Sequence, residues 1–417
     1  MDRSRAADQH RDARVPPRLR GPSLRTALRR RLYWSLRPRV PRLRGTRDVL
    51  LVARSPLMGR YARLFHELFE DDPRLRFHVT TMDLSEPRAS RLAASLGLPR
   101  VDEASAVSRW WDLAVFPNHA TVRRFRAEVP KFYTRHGVSS GKTPRGRDRE
   151  FGDEIAMCAG RPRYQRMFEA SERVRARAVA RNPRLADVIT VVGDLRVDRM
   201  LALLPSRAAL RERLGLREDE IAVLVMSTWG PASLMERMGA ALLRAAHRLA
   251  SGRRYRFVVT ANPLLLADGA ARRRRWYHAL LALRARGLLV VDPVEDWEPY
   301  LVAADAAIAD HTSLALTYAT LGRPLVFVPL DERECPPDAP IRRLAELCPV
   351  LRGPDALEPT LARALAPGAG SPPGRAARDI CSYPGEAARR IRAVTYRELD
   401  LAARAGRGRR APRAAGP

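Results

Sequence analysis

Short apolar runs, each followed by a segment of helical period, recur along the chain in two sets, and this alternation leaves few folds open. The first set has runs at 49–53, 77–82, 113–116, 131–134 and 188–192, with helix-like segments such as 61–69 and 163–178 between them. A largely helical connector, 198–214, leads to a second set. Its runs are 221–227, 257–260, 288–291, 306–309 and 325–328, and its helices 234–250, 271–285, 297–303 and 313–321. Short apolar runs with no polar face must be covered on both sides, which is the condition of a parallel sheet flanked by helices. The chain is therefore expected to be α/β, with two doubly wound, Rossmann-like domains. Ligands in such sheets sit beyond the carboxyl ends of the strands, so two facing halves put the site in a central cleft.

Length and composition fit that expectation. A chain of 417 residues with 46% hydrophobic content is neither disordered nor a stapled miniature. The longest uncharged run, 221–235, contains Ser, Thr, Trp, Gly and Pro and falls short of the roughly 20 apolar residues a membrane span needs. No apolar stretch of secretory type follows the basic start. Cys158, Cys335, Cys348 and Cys381 lie far apart with no Cys-x-x-Cys pair, which predicts reduced thiols in a cytoplasmic protein and no metal knuckle. No carboxylate cluster demands an ion, so neither metal nor cofactor is expected.

The formal charge of +30 is concentrated at the ends. Fifteen Arg and three Asp give 1–47 a local +12, and five Arg give 403–417 a local +5, which leaves +13 for the residues between. Only Lys131 and Lys142 are lysines. So one-sided an Arg usage has the look of a compositional bias, which weakens the case for nucleic acid that a very basic chain would otherwise make. Within the first arm, 23–36 suits a short basic amphipathic helix with Leu24, Leu28, Leu32 and Tyr33 or Trp34 on one side, able to lie on an anionic membrane; a solvated, disordered arm is the alternative.

Two constellations lie at strand ends. The first, directly after the run at 131–134, is Arg135-His136-Gly137-Val138-Ser139-Ser140-Gly141-Lys142. A His there, followed by a Gly that lets the backbone turn, faces a cleft and has the titration range of a general base; loop capping is the other reading. The second is Asp310-His311-Thr312-Ser313 at the end of 306–309, opening a helix with Thr312 or Ser313 as its cap. Unpaired N–H groups at such a turn suit a pyrophosphate, although capping alone would explain the residue types. Further strand ends carry Ser227-Thr228-Trp229, Asn262-Pro263, Pro117-Asn118-His119 and Gly193-Asp194-Leu195-Arg196-Val197-Asp198. Arg272 to Arg275 reads as a solvated helix face or a phosphate or membrane contact.

His-Gly-(small polar)-Lys, Gly-x-x-Arg-x-Asp, a strand ending in Thr-Trp, and Asp-x-(Ser/Thr)-Ser with Tyr318-Ala319 and Arg323-Pro324 occur in that order over about residues 110–330. The series resembles the CDP-glycerol glycerophosphotransferases of teichoic acid synthesis, GT-B-type enzymes with two Rossmann-like halves. The chain departs from that pattern at Arg135, where an aromatic residue is usual, and at Lys142, one position late. It departs again at Asn262, which replaces a His, and at Thr317, which replaces an acid.

The resemblance implies a GT-B-like fold with an acceptor domain at 48–205 and a nucleotide-donor domain at 206–402, between the basic arm at 1–47 and the basic tail at 403–417 that the charge distribution marks. It implies His136 as catalytic base toward an acceptor hydroxyl. Lys142, Arg196, Thr228, Asn262, Asp310, His311, Thr312 and Ser313 would hold the donor, and His119 and Arg135 the acceptor. A polyol phosphate such as glycerol phosphate would pass from a CDP-activated donor to a lipid-linked or polymer acceptor, at the inner face of the cell membrane. Its anionic surface is favoured over nucleic acid as partner of the tails. Two other readings are a GT-B glycosyltransferase using a nucleotide sugar, and a catalytically silent GT-B module binding anionic partners.

Overall fold

The structure, a computed structural model, describes residues 45–142, 151–158, 160–262, 278–282, 284, 288–291, 296–367 and 374–402. The chain divides into two units, 1–47 and 48–417, and the buried core lies in the second. Residues 1–44 with the 23–36 segment, the tail at 403–417, Pro263 and the Arg272–Arg275 run lie outside the described residues.

Two parallel sheets form, as the alternation predicts. The first is built from β1 (Arg47–Ala53), β2 (Leu75–Thr81), β3 (Leu113–Phe116), β4 (Lys131–Tyr133), β7 (Arg166–Glu169) and β8 (Ile189–Val191), in the order β2-β1-β3-β4-β7-β8. A two-residue hairpin, β5 (Met157–Cys158) with β6 (Arg161–Pro162), stands apart from it. The second sheet holds β9 (Ile221–Ser227), β10 (Tyr255–Ala261), β11 (Leu289–Val290), β12 (Ala306–Ala309) and β13 (Leu325–Phe327), in the order β11-β10-β9-β12-β13. Every residue of β3 and β12 is buried, the double burial that their unbroken apolar runs require. Each sheet reverses its winding once, between β1 and β3 and between β9 and β12. The loops leaving those strands part to opposite sides there and open a crevice.

One strand differs from expectation. Residues 163–178 read as a single helical segment, yet β7 occupies 166–169 and the helix begins only at Glu172. Met167 and Phe168 fill opposite faces of the sheet, while the flanking Arg166 and Glu169 find ion-pair partners at Glu398 and Arg135. Distant partners make those polar residues compatible with a buried strand, and nothing local announces them.

The last helix returns to the first half. Helix Ala387–Glu398 buries Ile391, Val394 and Tyr396 in the same cluster as Val49, Phe65 and Phe69 of the first half. The Tyr396 hydroxyl donates to Asp72 at 3.0 Å. By its packing this helix belongs with residues 48–205. Among the described residues no helix is long and apolar enough to cross a membrane.

Candidate functional site

β4 ends at Tyr133, and the turn after it presents His136. Arg135 adopts φ +63° and Gly137 φ +117°, so His136 sits between two residues in the left-handed region, where a non-glycine is costly. The Arg135 guanidinium is tied down by a buried ion pair with Glu169, which holds the strained residue in place. Arg135 was expected to face an acceptor; it is instead 5% exposed and committed to the interior. His136 is exposed. Its Nδ1 lies 3.0 Å from the Pro117 carbonyl, which can only accept, so Nδ1 is the donor of that hydrogen bond.

From Gly137 onward the loop leaves its own half and seats on the other. A Cβ on Gly137 would stand 3.5 Å from Ser313 Oγ, and one on Gly141 only 2.6 Å from Pro340 Cδ and 3.0 Å from Ala339 Cα. Val138 is buried in the second half's core cluster beside Leu314 and Ile341. The Ile341 N–H donates to the Ser140 carbonyl at 3.3 Å. Lys142 Nζ then donates to Thr228 Oγ1 at 2.8 Å, at the carboxyl end of β9. The other lysine serves the fold: Lys131 is 1% exposed and donates to the carbonyls of Arg126, Ala127 and Val129.

In the second half, Asp310 closes the crevice between β9 and β12 from beneath. Fully buried, it accepts from the Thr228 N–H at 3.0 Å, the Leu234 N–H at 2.8 Å and Ser227 Oγ at 2.9 Å. Burial raises its pKa against the pull of those donors. It positions the 228–234 loop. His311 is 1% exposed, with Nε2 3.0 Å from Glu334. Burial, with the charges of Lys142 and Arg237, brings its pKa down to about 3 despite that carboxylate, so the neutral ring donates from Nε2. Its Nδ1 has no hydrogen-bond partner among the described residues. Thr312 is the cap of helix Ser313–Ala319, accepting from the Leu314 N–H at 3.4 Å. Asn262, partly buried, follows β10 directly.

Arg196 stands behind His136, since the Tyr61 ring it packs on lies 6.2 Å from the imidazole. The Gly193–Asp198 motif works as a structural joint: Asp194 caps helix Leu195–Leu203, and Asp198 accepts from the Gly385 and Ala388 N–H groups at 2.7 and 3.1 Å, holding the start of the returning helix. A Cβ on Gly193 would meet the Tyr383 carbonyl at 2.9 Å. Arg196 itself is 3% exposed, sandwiched between the rings of Tyr61 at 4.2 Å and Trp297 at 4.6 Å, with Glu298 at 3.6 Å. Burial works against its charge, but Tyr61, Glu298 and Asp194 outweigh it. His119 likewise packs inward, stacked on Tyr133 at 3.9 Å with Nδ1 2.7 Å from the Tyr164 hydroxyl. Sequence reasoning missed Tyr61, Glu298 and Glu334, which sit in ordinary helical or loop surroundings with no motif to mark them.

The structure thus brings His136, Gly137, Lys142, Thr228 and Ser313 together where the halves meet, with Arg135 and Arg196 buried and His119 partly buried. No family model and no curated protein matches the chain. Solved structures do. The wall teichoic acid polymerase TagF superposes with a TM-score of 0.56 at 13% identity, over 90% of this chain and 97% of that one. The fold is GT-B. A TagF variant soaked with CDPG gives a TM-score of 0.55 at 12% identity, over 90% and 97% of the two chains. The S. aureus MnaA–UDP co-structure gives 0.53 at 12%, over 86% and 98%. This GT-B chain shares with them the two-sheet architecture.

Proposed function

We propose that the protein is a transferase that uses a nucleotide-diphosphate-activated donor, moving a polyol phosphate of the glycerol phosphate kind from a CDP-linked donor to a hydroxyl of a lipid-linked or polymer acceptor. The observation that carries this reading is His136: an exposed imidazole whose Nδ1 is fixed on the Pro117 carbonyl, on a loop that places Gly137 against Ser313 of the other half. In this scheme Nε2 takes the proton from the acceptor hydroxyl, and the freed oxygen forms a bond to the phosphorus that bears the polyol. The bond from that phosphorus to the bridging oxygen breaks, and the nucleoside monophosphate leaves with the electron pair. Lys142, Thr228, Asn262 and Ser313 are the groups proposed to hold the donor diphosphate, with His311 and Thr312 behind them. Catalysis of this kind rests on positioning and charge neutralisation, which suits a site assembled by docking one half's loop into the other. The same reading puts the enzyme on the inner membrane face, its basic tails against anionic lipid.

Incubation with CDP-glycerol, other CDP-polyols and UDP-sugars plus a lipid-linked acceptor, with released nucleotide followed by mass spectrometry, tests it. The expected product is a monophosphate, and His136→Ala should lower its release by about 100- to 10,000-fold. Release of a diphosphate would replace the reading with glycosyl transfer, and release unaffected by His136→Ala would overturn the role given to that residue.

A further inference from the structure

Trp229 is out of keeping with the other aromatic residues. Its side chain is 51% exposed, and among the described residues no other Trp, Tyr or Phe is classed as exposed. A single exposed apolar side chain needs no explanation in itself; what distinguishes this one is where it is mounted and how firmly. It follows β9 at the winding reversal of the second sheet, the crevice where doubly wound sheets take their ligands.

The backbone on either side of it is fixed by buried groups. Asp310 holds the Thr228 and Leu234 N–H groups at 3.0 and 2.8 Å. Ser227 Oγ accepts from the Met235 N–H at 3.2 Å, and the Ser233 N–H donates to the Gly230 carbonyl at 3.0 Å. Gly230, at φ +102°, makes the turn immediately after the indole, a conformation a side chain would resist. On the other side Thr228 receives the Lys142 ammonium at 2.8 Å. A large flat ring is thus held in solvent on an immobilised loop, one residue from a cation, which is the arrangement that binds a planar aromatic group attached to phosphates.

We propose that Trp229 is the stacking platform for the donor's nucleobase. The proposal rests on the nucleotide-donor reading above and adds to it the residue that engages the base. Every base presents a π face, so stacking on Trp229 supplies affinity with little choice among bases, and selection of cytosine must come from other groups.

Isothermal titration of the full-length protein with CMP, CDP and UMP, and with pyrophosphate and ribose 5-phosphate as ligands lacking a base, separates the outcomes. In Trp229→Ala each nucleotide should bind on the order of 10-fold more weakly, while pyrophosphate binding stays as in the wild type. Trp229→Phe, which keeps a ring, should recover most of the loss, and indole fluorescence quenched by CMP in the wild type should be lost in both variants. Equal nucleotide affinity in wild type and Trp229→Ala would overturn the platform and leave the donor reading standing. An equal loss for pyrophosphate would also overturn it, since the effect would then belong to the loop and not to the base. A wild-type protein that binds none of the nucleotides would overturn both.

Discussion

His311 shows how a buried titratable side chain ties the site to stability. Its pKa falls to about 3 in the fold, from an ordinary value of 6.5, chiefly through burial. Between those values the unfolded chain binds a proton that the folded ring refuses, so the free energy of unfolding decreases as the pH drops from about 6.5 toward 3. The steepest slope one proton can give is about 1.4 kcal/mol per pH unit. Urea midpoints measured at pH 7, 5 and 4 should fall in the wild type and fall less in His311→Gln, which cannot take up the proton; parallel declines would exclude His311 as the source. Legibility at this scale depended on backbone cues. The place of His136 at a strand end could be read because Gly137 follows it and a strand precedes it. The burial of Arg196 between Tyr61 and Trp297 could not, because a stacked guanidinium has the same sequence signature as a solvated one.

The decisive element is the loop from Gly137 to Lys142. Two glycines test how far its docking depends on close approach. A Cβ on Gly97, at φ +63° beyond the helix Glu86–Leu96, would meet nothing within 4 Å, so Gly97→Ala faces backbone strain alone and should cost about 1 kcal/mol. Gly141, at φ +71°, would bring its Cβ to 2.6 Å from Pro340 Cδ and 3.0 Å from the Ala339 backbone. Gly141→Ala should therefore cost more, about 2–3 kcal/mol, and, unlike Gly97→Ala, should depress nucleotide release by lifting Lys142 from Thr228. Equal effects of the two changes, in urea unfolding and in turnover, would show that the docking of this loop carries no activity. Strands such as β9 and β12 could be read almost to the residue, since their apolar runs are uninterrupted. β7 could not, because its Arg166 and Glu169 are paid for by ion pairs more than thirty positions away, with Glu398 and Arg135.

Over the whole molecule, the two-sheet architecture was legible from the alternation of apolar runs and helices, but the return of helix Ala387–Glu398 to the first half was not. Its contacts with Asp72 and Arg166 join residues hundreds of positions apart. The charge also reads differently at this scale. Within the folded part, some Arg side chains converge on carboxylates, as at Asp305, where Arg207 and Arg211 meet, and at Asp338, where Arg177 and Arg181 do. Such pairs cancel locally, and the net +13 that remains is spread over all the residues between the ends, whereas 1–47 concentrates +12 in fifteen Arg against three Asp. If the inner membrane face is where the enzyme works, that arm is the segment that should bring it there, since each basic residue near an anionic surface contributes about 1 kcal/mol. Deleting residues 1–47 should then abolish sedimentation with phosphatidylglycerol vesicles at low salt. The intact protein should be released as ionic strength rises past about 0.15 M and the Debye length shrinks to about 8 Å. Vesicles of neutral phosphatidylcholine should retain neither form. Undiminished binding by the deleted protein would move the membrane contact from the arm to the folded halves.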